Sequence, residues 1–505
     1  MRGFTRNVRF APAIAALIGL ATLARLGEGQ PEPRPIASAA PATTPKRSID
    51  PAAIEAAMSK LAADVKGWGG VVGVSVIDVS NGAVIAASSE HAPLNPASNA
   101  KLATAAAAIR LLGPEHRFLT GLYGKIHGES VDELVIRGDG DPSLATRDLW
   151  AMATELRAAG VRRVRSILVD QAWFDDAYVP PAFEQQPAEW APFRAPIAAV
   201  SINENTVLFQ IRSTKDGADA LVDVDPPGFV DLTGTVGTSK KADPEKVILG
   251  LEAKGARLTG KLGGTLPEGS RLLRVAKRVD DPRLLAGYAL RAVLKQLGAD
   301  VPAEVKAGGS KQKALLVAHR SEELSQLAFA LGKESDNFYA EMLFKAIGAH
   351  AKGRPATAEA AAAAVTAYLD GAGAMDAGVI VKNGSGLFDA NRVTASSTTA
   401  LLRAAYRDPR VGPDFLAQLS IGGVDGTMHG RFKEWSKSRA IRAKTGTLDA
   451  VAALSGYVLP PPGRTPIAFS LVVNGITGKV GAARGSMDDV VQAIATELWK
   501  GAERN

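Results

Sequence analysis

Residues 443–458 read AKTGTLDAVAALSGYV. A β-rich run, SRAIRAKT at 438–445, passes through Lys444-Thr445-Gly446, and a second such run, DAVAALSGYVL, follows at once. A third, TPIAFSLVVNG, and an amphipathic helical pattern, SMDDVVQAIATELWKG, close the chain. The tripeptide Lys-Thr-Gly occurs once in the 505 residues.

Near the other end, DPAAIEAAMSKLAADVKG (50–67) has apolar residues at helical spacing and an Asp-Pro start suited to a helix N-terminus. VVGVSVIDVSNGAVIAASSE (71–90) then holds two β runs joined by Ser80-Asn81-Gly82, the mark of a hairpin. The two early strands and three late ones predict one five-stranded antiparallel sheet packed by the terminal helices. Between them, residues 115–280 are short on helical periodicity. Runs such as DELVIRG, VRSILVD, NTVLFQIRS and ALVDVDP alternate there with Gly/Pro/Asp turns. Helical patterns resume at PRLLAGYALRAVLKQLGA (282–299) and continue to Arg407. The expected organisation is a discontinuous α/β (α+β) domain, 49–114 and 281–505, interrupted by a β-rich insertion at 115–280 that holds one or two nested units.

The stretch NPASNAKLATAAAAIRLLG (95–113) carries Ser98 and Lys101 at the mouth of an alanine-rich helix stopped by Gly113-Pro114. Residues i and i+3 share a helix face, so the amine can reach the hydroxyl. Taken alone, S-x-x-K is weak evidence, since about one or two chance matches fit a chain this long. A second copy stands at 310–313 in a lysine-rich Gly-Gly loop, where solvated charge is the simpler reading. For the pair alone, a helix-capping Ser98 and a solvated Lys101 is the better explanation.

Two further motifs reverse that balance. KESDNFYAE supplies Ser335-Asp336-Asn337, and the segment quoted first supplies Lys444. S-x-N is itself common, with a decoy at Ser201-Ile202-Asn203. The order S-x-x-K, S-D-N, K-T-G is that of serine acyl-transferases of the penicillin-recognising group. The roles cohere. Ser98 attacks an amide carbonyl and Lys101, its pKa drawn down by burial and a neighbouring cation, accepts the proton. Ser335 passes a proton to the leaving amine, and Asn337 orients Lys101 and holds the substrate amide. Lys444 is the second cation and attracts a terminal carboxylate. Gly446 keeps the strand edge bare, the N–H groups of Thr447 and Ser98 form an oxyanion hole, and the hydroxyls of Thr445 and Thr447 bind the carboxylate.

Composition narrows the alternatives. Without cysteine there are no disulfides, thiolate nucleophiles or sulfur-bound metals, and the six histidines never fall at zinc-site spacings. No metal and no cofactor is expected. A net charge of +7 without a basic block makes nucleic acid a poor partner. Arg2, Arg6 and Arg9 precede an apolar run from residue 10 to 24, the order of a secretory leader, so residues 1–24 read as a signal peptide and the protein as exported to the periplasm or cell envelope. Cleavage at Ala24, cleavage near Ala37-Ser38-Ala39, or a retained anchor all fit. The Pro/Ala-rich tract at 25–48 reads as a linker.

With these motifs in place, the chain resembles the class C low-molecular-mass penicillin-binding proteins, the D-alanyl-D-alanine carboxypeptidase/endopeptidase family. GVDGTMHGRF (423–432), the extended segment 443–458, RGDGDPSL (137–144) and SINENTV (201–207) look like that family's stretches, and the likeness runs from about residue 50 onward. The resemblance implies the penicillin-recognising serine transferase fold, with Ser98, Ser335 and Lys444 in one cleft. It also implies cleavage of D-Ala-D-Ala termini and D-Ala cross-links in peptidoglycan, and covalent trapping by β-lactams. A family-like DGSGLS run appears here as NGSGLF (383–388), without its acid and its last serine. Two other readings share the fold: a serine β-lactamase, for which no deacylating Glu motif is found, and a non-catalytic peptidoglycan-binding scaffold. Asp170 and Phe174 in VDQAWF are candidates to reach a substrate side chain, with packing the simpler role for Phe174.

Overall fold

The structure is a computed structural model that describes residues 49–309, 311 and 314–502. The signal peptide and linker readings, and all but Lys311 of the second S-x-x-K copy, lie outside the described residues.

The expected strands assemble into one antiparallel sheet: β1 (Val71–Asp78), β2 (Val84–Ser88), β3 (Ser420–Ile421), β4 (Ile441–Leu448), β5 (Val451–Val458) and β6 (Ile467–Asn474). Their order is β3-β4-β5-β6-β1-β2, so the sheet has six strands rather than five. The added β3 has two residues, too few to show any alternation in sequence. β5 is buried along its whole length and β6 along all but its last residue, because helices cover both faces. On one face lie α1 (Ala52–Gly67) and the C-terminal helix, whose Ile54, Leu61, Val490 and Ile494 pack on Val74, Leu454 and Leu471. On the other lie α2 (Ala100–Leu112), α3 (Asn337–Lys352) and α4 (Ala395–Arg407), joined to the sheet through Tyr457 and Ala468. The C-terminal helix, α5, spans Val480–Leu498. The fully buried alanines of α2, Ala106 and Ala107 among them, let its backbone approach closely.

The inserted part has its own five-stranded sheet, in the order Val305–Ala307, Ile167–Asp170, Leu134–Gly138, Leu119–Tyr123, Leu315–Arg320. Helix Leu285–Gln296 buries Leu290, Val293 and Leu294 in the same core. The expected boundary at residue 280 is therefore early: the chain returns to the main sheet's helices only after Arg320. Periodicity announces a helix but not which core will bury it.

Candidate active site

Pro96 opens a 3-10 turn, Ala97–Asn99, that runs directly into α2 and carries Ser98. Ala97 has a left-handed backbone, φ 45°, held by its N–H bond to Asn95 Oδ1 at 2.9 Å. The turn is tied to the sheet by a buried polar chain. Asn99 Nδ2 donates to Ser455 Oγ (2.7 Å), and Ser455 bonds Ser470 Oγ (2.9 Å) on the next strand.

Lys101 is 1% exposed, and its Nζ makes three hydrogen bonds: to Ser98 Oγ at 3.0 Å, Asn337 Oδ1 at 2.7 Å and the Ser385 carbonyl at 2.8 Å. Burial draws its pKa down to about 7, against the opposing pull of Glu341 and Asp336. Burial and then the Lys101 ammonium hold Lys444 well below the ordinary lysine value. Of the two causes expected for Lys101, burial and a neighbouring cation, burial is the larger. Desolvation is the larger cause for both amines, and the repulsion between the two cations acts in the same direction.

Ser335 adopts φ 61° in the turn before α3, a strained conformation of the kind that clusters at functional sites. There it accepts a 2.6 Å bond from Lys444 Nζ, which also donates to the Thr445 carbonyl at 2.8 Å. Asp336 caps α3 by accepting from Tyr339 N–H, which fixes Asn337 as its first helical residue. Asn337 Nδ2 donates to the carbonyl of Phe193, a residue of the insertion, at 2.8 Å. The insertion thereby sets which way the Asn337 amide faces.

β3 pairs only with Arg442 and Ala443, so from Lys444 to Leu448 one edge of β4 has no strand partner among the described residues. Gly446 on that stretch abuts the serine turn: a Cβ there would lie 2.6 Å from the Pro96 carbonyl oxygen and 3.2 Å from the Ala97 Cβ. Ser98, Ser335, Thr445, Gly446 and Thr447 line one cleft of about 400 Å³. All eight residues singled out by motif therefore converge, with Lys101 and Lys444 buried behind the cleft wall and Asn337 half-buried beside them.

Residues 54–496 match the D-Ala-D-Ala carboxypeptidase 3 (S13) family. The chain belongs to that family. It is 33% identical over 451 residues to a D-alanyl-D-alanine carboxypeptidase of an Actinomadura species, covering 85% of this chain and 81% of that one. With the carboxypeptidase DacB of Haemophilus influenzae it shares 26% identity over 422 residues, covering 81% and 86%. The crystal structure of penicillin-binding protein 4 from Haemophilus influenzae superposes with a TM-score of 0.71 at 25% identity, over 87% of this chain and 99% of that one. A predatory peptidoglycan endopeptidase from Bdellovibrio bacteriovorus shares the fold at TM-score 0.51 and 15% identity, over 85% and 93%.

Four residues beside the motifs were given no individual role in the sequence reading. Glu341, 2% exposed, accepts the N–H groups of Gly384 and Ser385 and so holds the loop that meets Lys101. It stands four residues after Asn337, on the same helix face, which is the signal that could have found it. Thr427 Oγ1 accepts from Thr445 Oγ1 at 2.8 Å, and Arg431 and Arg484 also line the cleft. The NGSGLF run, singled out for its lost acid and serine, keeps its backbone task. Gly386 (φ 74°) is pressed so close to the Ser98 turn that a Cβ would fall 1.9 Å from the Ala97 carbonyl oxygen.

Asp170 and Phe174 do not line the cleft. Asp170 is buried in a 2.7 Å ion pair with Arg137, and Phe174 packs with Ile197, Phe338 and Met342. The decoy Ser201 serves a turn, donating to the Ala198 carbonyl and accepting from Asn205 Nδ2.

Proposed function

We propose that this family member is an exported serine DD-peptidase that hydrolyses D-Ala-D-Ala termini, and D-Ala cross-links, of peptidoglycan stem peptides. The observation that carries the reading is the contact of the buried Lys101 with Ser98, in a cluster that also holds Asn337. Neutral Lys101 takes the Ser98 proton as Oγ bonds to the substrate carbonyl carbon. The N–H groups of Ser98 and Thr447 receive the oxyanion. As the C–N bond breaks, the leaving amine takes a proton from Ser335, and the proton that Lys101 took from Ser98 replaces it by way of the Lys444–Ser335 contact, which leaves Lys101 neutral again. Water then attacks the Ser98 ester, with Lys101 again as base, and releases the shortened peptide. Asn337 orients Lys101 and holds the substrate amide, and the free edge of β4 at Gly446 admits the peptide backbone as an added strand. The hydroxyls of Thr445 and Thr447 face the terminal carboxylate. A β-lactam would acylate the same serine and remain as a stable ester. Names of the relatives support the carboxypeptidase activity.

Incubation with a stem pentapeptide ending in D-Ala-D-Ala tests this. Release of one D-alanine per peptide by the full chain, abolished in Ser98→Ala, is the expected result. Peptidoglycan binding without release would make the protein a scaffold of the same fold.

A further inference from the structure

One group in the cleft has no part in the steps above. Arg484 lies on the second turn of α5, exposed toward the cleft, and its Nη2 donates to Thr447 Oγ1 at 2.6 Å. A hydroxyl has one proton and two lone pairs, so a threonine that accepts from a guanidinium has its own O–H turned outward, available to a ligand acceptor. Among the described residues no carboxylate lies in ion-pair range of Arg484. Its planar fork spends one donor on Thr447 and keeps four. The charge and the donors point into the same space as the Thr445 and Thr447 hydroxyls.

The other cations of the cleft are committed. Arg431 pairs with Asp488 through both carboxylate oxygens. Lys444 sits buried behind the strand with Ser335 Oγ and the Thr445 carbonyl as partners, and burial opposes its charge. A guanidinium stays protonated regardless of such surroundings. The anion of a bound peptide therefore finds its permanent countercharge in Arg484 rather than in Lys444.

We propose that Arg484 reads the free carboxylate of the leaving residue, so that the cleft selects peptides whose leaving residue ends in a carboxylate over those in which it is blocked as an amide or ester. The assignment rests on the peptidase reading above and adds a specificity to it. A terminal D-alanine satisfies the rule. A cross-link satisfies it only where the leaving amino acid keeps its own α-carboxylate next to the scissile nitrogen, so amidation at that carbon would protect the cross-link.

The test compares a labelled penicillin as free acid and as methyl ester, measuring second-order acylation rates of Ser98 in the full chain and in Arg484→Gln and Arg484→Lys. The acid-over-ester preference should fall about tenfold or more in Arg484→Gln, the size expected for a lost charge-assisted hydrogen bond, and be partly kept in Arg484→Lys. An unchanged acid-to-ester ratio in Arg484→Gln, including an equal fall for both compounds, overturns the assignment and leaves the peptidase reading standing. An unmodified protein that neither compound acylates removes the peptidase reading and this assignment together.

Discussion

Glu341 accepts the N–H of Ser385 at 2.8 Å while the carbonyl of the same residue takes Lys101 Nζ, also at 2.8 Å. One buried carboxyl thus holds the loop that holds Lys101, and its charge favours the protonated amine. Glu341→Gln keeps an acceptor for one N–H and removes the charge. The pKa of Lys101 should then fall further, moving the acid limb of the acylation-rate profile to lower pH, at a stability cost of about 1–3 kcal/mol for the imperfectly paired loop. Acylation rates across pH, with melting curves, check both. An acid limb that stays in place would mean that Glu341 is neutral where it sits, in line with burial raising its own pKa.

Gly386 allows the contact between that loop and the nucleophile turn. In Gly386→Ala a Cβ meets the Ala97 carbonyl oxygen head-on, in a left-handed conformation that side chains disfavour. A loss of about 1–3 kcal/mol, or more, is expected from strain and overpacking, together with slower acylation because Ser98 is the next residue. Gly430→Ala, where a Cβ meets nothing within 4 Å, is the control and should change stability by about 0.5 kcal/mol or less. Denaturant midpoints and acylation rates distinguish them.

The base must be neutral to act, so acylation should rise with pH through about 7. The sign for stability follows from the same shift. Between the folded value of about 7 and the ordinary 10.5, the unfolded chain holds a proton on Lys101 that the folded chain has lost, so raising the pH across that window favours folding. The stability difference between the unmodified protein and Lys101→Met should therefore shift toward the unmodified protein from pH 7 to pH 9. A difference that is flat with pH would mean that the amine titrates as it does in water.

The insertion touches Asn337 through the Phe193 carbonyl. Arg278 donates to the carbonyls of Pro187 (3.0 Å) and Glu189 (2.8 Å) and lies 5.2 Å over the Trp190 ring, fixing the segment that leads to Phe193 and its bond to Asn337. Arg278→Ala should free that segment and slow acylation about 10- to 100-fold, since a misplaced positioning group acts on every turnover. Unchanged rates would show that Asn337 needs no help from the insertion.

The main sheet was legible because its strands are apolar runs with clear punctuation, and Ser80-Asn81-Gly82 marked the hairpin. The core motifs were legible because their chemistry requires particular residue types in a particular order. What escaped notice depends on tertiary partners. The two residues of β3 have no pattern of their own, and helix Leu285–Gln296 shows a period that suits either core. Arg484 is one arginine on a polar helix face until folding sets it against Thr447. The weight of burial in the Lys101 shift was illegible for a related reason. Sequence order reveals that a second lysine exists, but only packing reveals that Lys101 is 1% exposed.

Mass mapping of the protein after exposure to a labelled penicillin is the most direct measurement. One adduct per chain, on the peptide containing Ser98, absent from Ser98→Ala and stable for hours, is the predicted result. An adduct that persists in Ser98→Ala, or none at all on the unmodified chain, would contradict it.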